Sequence, residues 1–246
     1  VPGNNGFAAL KDDGSLVYWG AYRERFFSAP EGSTSNHVWF EEVENRLPEG
    51  VADVAFTIHA AAALREDGSV VPWGWRLAGG SFELNHLPQF PGGSRGLEEA
   101  VSSGVVRLFG VSTNFAALKE DDSVVIWGSQ ETERWIPGQP DNPIVDIFTT
   151  GNAFTALRSD GSIEVLWRRV SFDGEYLATD HLQSINAQLQ SGVVSLKALP
   201  NRADMAALKD DGSVVSWTWT QRFPDPHKNA ALGQDVAAEL AGGVAS

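Results

Sequence analysis

The chain has no cysteine in 246 residues, which excludes disulfide staples, thiolate metal sites and a thiol nucleophile. Basic residues are scarce: 18 Lys and Arg stand against 32 Asp and Glu, for a formal charge of −14. Phosphate recognition needs clustered cations, and the only adjacent pair here is Arg168-Arg169, so nucleic acid is not an expected partner. The acids are spread along the chain rather than gathered in a tail, as on a solvated acidic surface. No apolar run approaches the roughly 18 residues that a membrane helix needs, so membrane insertion is not expected. Val1-Pro2-Gly3-Asn4-Asn5-Gly6 lack the charged start and apolar centre of a leader, and a soluble chain, processed or excised, is expected.

What the chain has in abundance is one motif. Phe7-Ala8-Ala9-Leu10-Lys11-Asp12-Asp13-Gly14-Ser15-Leu16-Val17-Tyr18-Trp19-Gly20 recurs four more times, over 61–74, 115–128, 154–167 and 205–218. Each copy joins a short apolar run to a β-branched run through an Asp-Gly turn, the pattern of a β-hairpin. Asp122 replaces the turn glycine in the third copy and is among the residues that tolerate the left-handed conformation. The fourth copy has one extra residue before Trp167, which predicts a β-bulge. Leu10, Leu64, Leu118, Leu157 and Leu208, with Trp19, Trp73, Trp127, Trp167 and Trp217, are the expected repeat core. Ala9, Ala63, Ala117, Ala156 and Ala207 are small residues in buried strands, which implies close approach of neighbouring sheets.

A further strand precedes four of the hairpins: Gly50–Val54, Gly104–Leu108, Pro143–Ile147 and Gly192–Leu196. Short helical patterns lie upstream at Leu97–Val101 and Leu182–Leu189, and again at Val236–Leu240, each stopped by glycine. Leu240-Ala241-Gly242-Gly243-Val244 matches the start of two inner strands, while the first hairpin lacks one. The expected architecture is therefore all-β: a single propeller of five blades over 1–246, with short helices between some blades. Its ring would close by pairing the C-terminal segment with the N-terminal repeat.

The pattern carried by Ala9, Leu10, Asp13, Gly14, Val17, Trp19, Gly20 and their counterparts resembles the repeat of the regulator-of-chromosome-condensation family of β-propellers. Closely similar repeats occur in bacterial surface and secreted proteins, so the resemblance favours a secreted or cell-surface location. It covers all five units and speaks for fold. Family members include exchange factors, ubiquitin-ligase modules, a light sensor and a β-lactamase inhibitor, so it selects no single activity. Seven blades are usual where five repeats stand here, and no functional residue of the family carries over.

Chemistry-bearing patterns are sparse. His37, His59, His86, His181 and His227 form no pair with metal-ligand spacing, and neither a metal nor a cofactor is expected. Gly92-Gly93-Ser94-Arg95-Gly96 has the spacing of a nucleophile elbow, but Pro88 and Pro91 stand where its strand would run, and it reads as a glycine-rich loop. The acidic pairs Asp12-Asp13, Glu66-Asp67, Asp121-Asp122 and Asp210-Asp211 recur because the turn recurs. No catalytic residue is assigned, and the chain is not expected to be an enzyme.

The aromatics outside the repeat frame are the remaining candidates. Of nine tryptophans, Trp39, Trp75, Trp135 and Trp219 lie in connecting segments or at hairpin exits, with Phe26, Phe27 and Phe40 near the first of them. Exposed rings on the loops of a rigid scaffold anchor protein interfaces, or stack on sugars. The alternative is that the long loops fold over and bury them. The expected function is a non-enzymatic protein-recognition scaffold, with a glycan-binding propeller or an architectural module of a larger assembly as the competing readings.

Overall fold

Five antiparallel hairpins form where the repeat places them. β1 (Gly6–Leu10) pairs with β2 (Leu16–Gly20), and β5 (Ala60–Arg65) with β6 (Val70–Trp75). The same pairing joins β8 (Asn114–Lys119) to β9 (Val124–Trp127), β12 (Ala153–Arg158) to β13 (Ile163–Arg168), and β15 (Asp204–Lys209) to β16 (Val214–Thr218). The computed structural model describes residues 6–20, 37–38, 40–47, 49–82, 93–129, 134–151, 153–168, 187–198 and 204–218. The helical pattern at Val236–Leu240 and the ring-closing segment lie outside these.

The four expected inner strands are β4 (Val51–Phe56), β7 (Val105–Val111), β11 (Ile144–Thr149) and β14 (Val193–Ala198), each antiparallel to the first strand of its hairpin. All four ladders slip at the second residue, which leaves Ala52, Val106, Val145 and Val194 as bulged, exposed positions. The extra residue of the fourth hairpin is a bulge too: Phe154 faces Trp167 while Thr155 faces Val165. Asp122 takes the left-handed conformation at φ 65°.

Two outer strands were not legible in the sequence. β3 (His37–Val38) pairs with β6, and β10 (Arg134–Ile136) pairs with β9, giving four-stranded sheets ordered β3-β6-β5-β4 and β10-β9-β8-β7. A short helix α1 (Phe40–Val43) precedes β4, and α2 (Gly93–Ala100) precedes β7. Gly93 to Gly96 are thus the first turn of a helix, not a loop.

The chain divides into two compact units, Val1–Pro140 and Asp141–Ser246. In the first, the core lies between successive sheets: Ala8, Leu16 and Tyr18 pack with Phe40, Val54 and Trp73, and Ala62, Leu64 and Val70 pack with Leu97, Phe115 and Trp127. In the second, Leu157 packs with Leu189, Leu196, Met205 and Trp217. Ala63, Ala117, Ala156 and Ala207 are fully buried, as the close approach of sheets requires. Leu10 and Trp19 depart from the expected core, with 40% and 46% of their surface exposed. The face of the first hairpin that carries Phe7, Val17 and Trp19 has no sheet opposite it among the described residues, whereas the equivalent faces of the next two hairpins do.

One backbone device recurs between three pairs of successive sheets, two in the first unit and one in the second. The turn carbonyls of Gly14, Gly68 and Gly161 accept the N–H groups of Val51, Val105 and Val193 at 2.9–3.1 Å, and so hold the following inner strand. A Cβ on Gly68, at φ +76°, would lie 2.6 Å from the N of Gly104. The turn glycine is therefore required twice, for its left-handed backbone and for the strand abutting it. Within the turns, Asp13, Asp67, Asp121, Asp160 and Asp211 each accept the backbone N–H of the serine two residues on. These bonds, with those from the serine hydroxyls, hold the carboxyl groups below the usual range, Asp13 at about 2.

Two outcomes follow from this packing. Trp127→Ala is expected to cost about 3–5 kcal/mol, and Gly68→Ala at least about 2 kcal/mol, in denaturant unfolding. Because the turn aspartates have lowered folded-state pKa values, the stability they contribute is present above their unfolded pKa of about 4 and is lost as pH falls through the lowered values, about 2 for Asp13. An acid titration followed by circular dichroism should show this loss, and Asp13→Asn should remove part of it.

Candidate functional site

Three of the aromatic candidates lie among the described residues, and they have unlike fates. Phe40 was expected as a loop anchor but is 1% exposed, packed at 5.2 Å from both Tyr18 and Trp73. It opens α1 with an acidic first turn, and that helix turns the ring into the core. Trp75 ends β6 half-buried, against the core cluster on one side and edge-on to His59 at 5.3 Å on the other. Trp135 is different, with half of its surface exposed. Trp39, Trp219, Phe26 and Phe27 lie outside the described residues, so the structure does not bring them together with Trp135.

Trp135 is held on a rigid base. The aromatic and β-branched pair Trp135-Ile136 favours a strand, and Pro137-Gly138 ends it. β10 runs along β9 with Trp135 opposite Val125, on the same face as the buried Trp127. The segment that follows is fastened back to the hairpin turn: Gln139 N–H donates to Asp122 Oδ2 at 3.1 Å, and Gly138 lies so close to the Asp121 carbonyl that a Cβ would not fit. The departure from glycine at 122 thus supplies a side chain that anchors this exit.

Register fixes which main-chain groups of β10 are spent. Lys119 N–H donates to Ser123 O at 2.9 Å, so alternation along the hairpin makes Ala117–Val125 a bonded pair. Val124 and Ile126 then point their N–H and C=O groups toward Ile136 and Arg134. The N–H and C=O of Trp135 face away from the sheet, with no protein group opposite them among the described residues. Arg134 beside it is exposed.

Two recurrent features escaped the sequence reading. The residue after each repeat leucine is basic, and in three repeats its cation ties the hairpin to the segment before the inner strand: Lys119 Nζ to Ala100 O, Lys209 Nζ to Gln188 O at 2.7 Å, and Arg158 to Asn142 O at 2.8 Å; Lys11 and Arg65 instead pair with the turn aspartates Asp13 and Asp67. Arg158 also pairs with Glu164 at 2.6 Å while almost wholly buried. The outer strands were hidden because two or three residues are too few to show a period. Among the described residues no group of His, Asp and Glu is placed to hold a metal, and none of their helices is long and apolar enough to cross a membrane.

Comparison of the fold with solved structures gives Prp20p of Saccharomyces cerevisiae, 15% identical over 87% of this chain and 56% of its own, with a TM-score of 0.50. A chain in the crystal structure of Kap60 bound to yeast RCC1 (Prp20) matches at 15% identity over 87% of this chain and 54% of its own, with a TM-score of 0.51. This chain has the fold of the RCC1-type propellers. Such identity is a likeness of fold alone, and this chain spans little more than half the length of either yeast chain. No protein-family model and no curated protein sequence matches the chain.

The contrast between Trp127 and Trp135 is measurable. Trp135→Ala should shift stability by no more than about 0.5 kcal/mol, as exposed substitutions do, against the several kcal/mol expected at Trp127. Parallel urea melts of the two variants check it.

Proposed function

We propose that this chain is a non-enzymatic protein-recognition scaffold, a five-bladed propeller whose outer strands and loops present aromatic anchors to a partner. The carrying observation is Trp135: half-exposed, on an outer strand, on the same face as a fully buried repeat tryptophan. A rigid aromatic on a preformed edge loses little conformational freedom on binding, which is why such rings dominate protein interfaces. The fold supports the same class of role, since Prp20p is described with its binding to Gsp1p and histones, and yeast RCC1 in complex with Kap60. The match of Leu240–Val244 to two inner-strand starts supports the five-bladed count and closure of the ring by the C-terminal segment. With a net charge of −14, the scaffold favours a partner that is neutral or basic overall.

The test is a quantitative comparison of proteins retained from an extract by the wild-type chain and by Trp135→Ala, with each hit remade and titrated calorimetrically. A partner whose affinity falls by about tenfold or more on substitution is expected, a loss of about 1.4 kcal/mol. Quenching of tryptophan fluorescence by one class of sugar, without any protein partner, would overturn the reading in favour of a glycan site.

A further inference from the structure

We propose that the outer edge of β10, unpaired among the described residues, is a strand-addition site, which takes an extended peptide segment with an apolar residue facing Trp135 and a carboxylate beside it facing Arg134. The inference rests on the recognition role above and names its chemistry. Three observations carry it.

The first is the hydrogen-bonding register. Trp135 directs both its N–H and its C=O outward from the last strand of a four-stranded sheet, with no protein group opposite among the described residues. An unpaired edge of this kind is a template for one more strand. The second is rigidity. Gln139 N–H on Asp122 and the seating of Gly138 against Asp121 fasten the chain directly after β10, so the edge is presented in a fixed position. The third is side-chain chemistry. The strand is three residues long and offers only one outward-facing residue, so two main-chain bonds set direction and register while the half-exposed indole supplies most of the contact. Arg134, exposed on the opposite face of the strand, selects a carboxylate at the neighbouring position of the added segment. Alternation in the guest places its apolar residue and its carboxylate on opposite faces, as adjacent residues of an extended peptide are.

The probe is a phage-displayed library of random heptapeptides panned against the full chain, with enriched peptides synthesised and titrated. Peptides with Asp or Glu next to a large apolar residue should be enriched. Binding should slow amide exchange of the Trp135 N–H by about tenfold or more and fall at least about tenfold in Trp135→Thr, which keeps the strand and its N–H but removes the ring. Trp135→Pro, which deletes the donor, and N-methylation of the peptide residue opposite Trp135 should each abolish binding. If Trp135→Pro fails to fold, Trp135→Thr and the N-methylated peptide carry the test. The proposal is overturned if no peptide is enriched, or if enriched peptides bind Trp135→Thr as tightly as wild type. Concentration-dependent protection of Trp135 without peptide, a second copy occupying the edge, overturns it as well. A protein partner that binds elsewhere leaves the recognition role standing and removes only this site.

Discussion

The hydrogen bond from an inner-strand N–H to the turn carbonyl of the preceding hairpin is the constraint on which the rest depends. It joins Val51 to Gly14, Val105 to Gly68 and Val193 to Gly161, and each time it sets one sheet at a fixed offset from the next. A single hairpin cannot bury both its faces, so a repeat of this type is stable only when neighbours stack, and the stacking must be reproducible for the side chains to interlock. The bond supplies that reproducibility from backbone atoms alone. Only glycine fits beneath it, because a Cβ at Gly14 or Gly68 would meet the backbone of the next unit within 2.8 Å.

The side chains divide the remaining work. Trp73 and Trp127 fill the space between successive sheets, fully buried, with alanines where backbones come closest. Lys119 and Lys209 tie each hairpin to the carbonyl that ends the segment before its inner strand, and the turn aspartates hold the turns with Asp–Ser hydrogen bonds. One acidic group in each turn is thereby explained as turn chemistry. The first hairpin shows the same logic by contrast: its Phe7, Val17 and Trp19 carry the repeat pattern, yet they are about half exposed, with no sheet against them among the described residues.

The third hairpin breaks the repeat at one corner. Asp122 replaces the turn glycine and accepts a hydrogen bond from Gln139, which fixes the exit of β10 and with it the outward-facing edge at Trp135. The same substitution that looks like a tolerated irregularity in the turn is part of what positions the most exposed aromatic of that sheet.

The hairpins, their turn conformation, the bulge before Trp167 and the four inner strands were legible in the sequence, because each depends on local contacts and on a pattern repeated often enough to be recognised. The outer strands β3 and β10 were not, since their pairing is set by neighbours rather than by any periodicity of their own. The fate of the aromatics likewise belonged to tertiary structure. Phe40, Trp75 and Trp135 are all large rings outside the repeat, and nothing in their local sequence distinguishes the one that a helix turns into the core from the one left at an edge. Hydrophobicity determines that a ring gains by burial. Whether a surface is there to bury it is decided only by what the fold brings alongside.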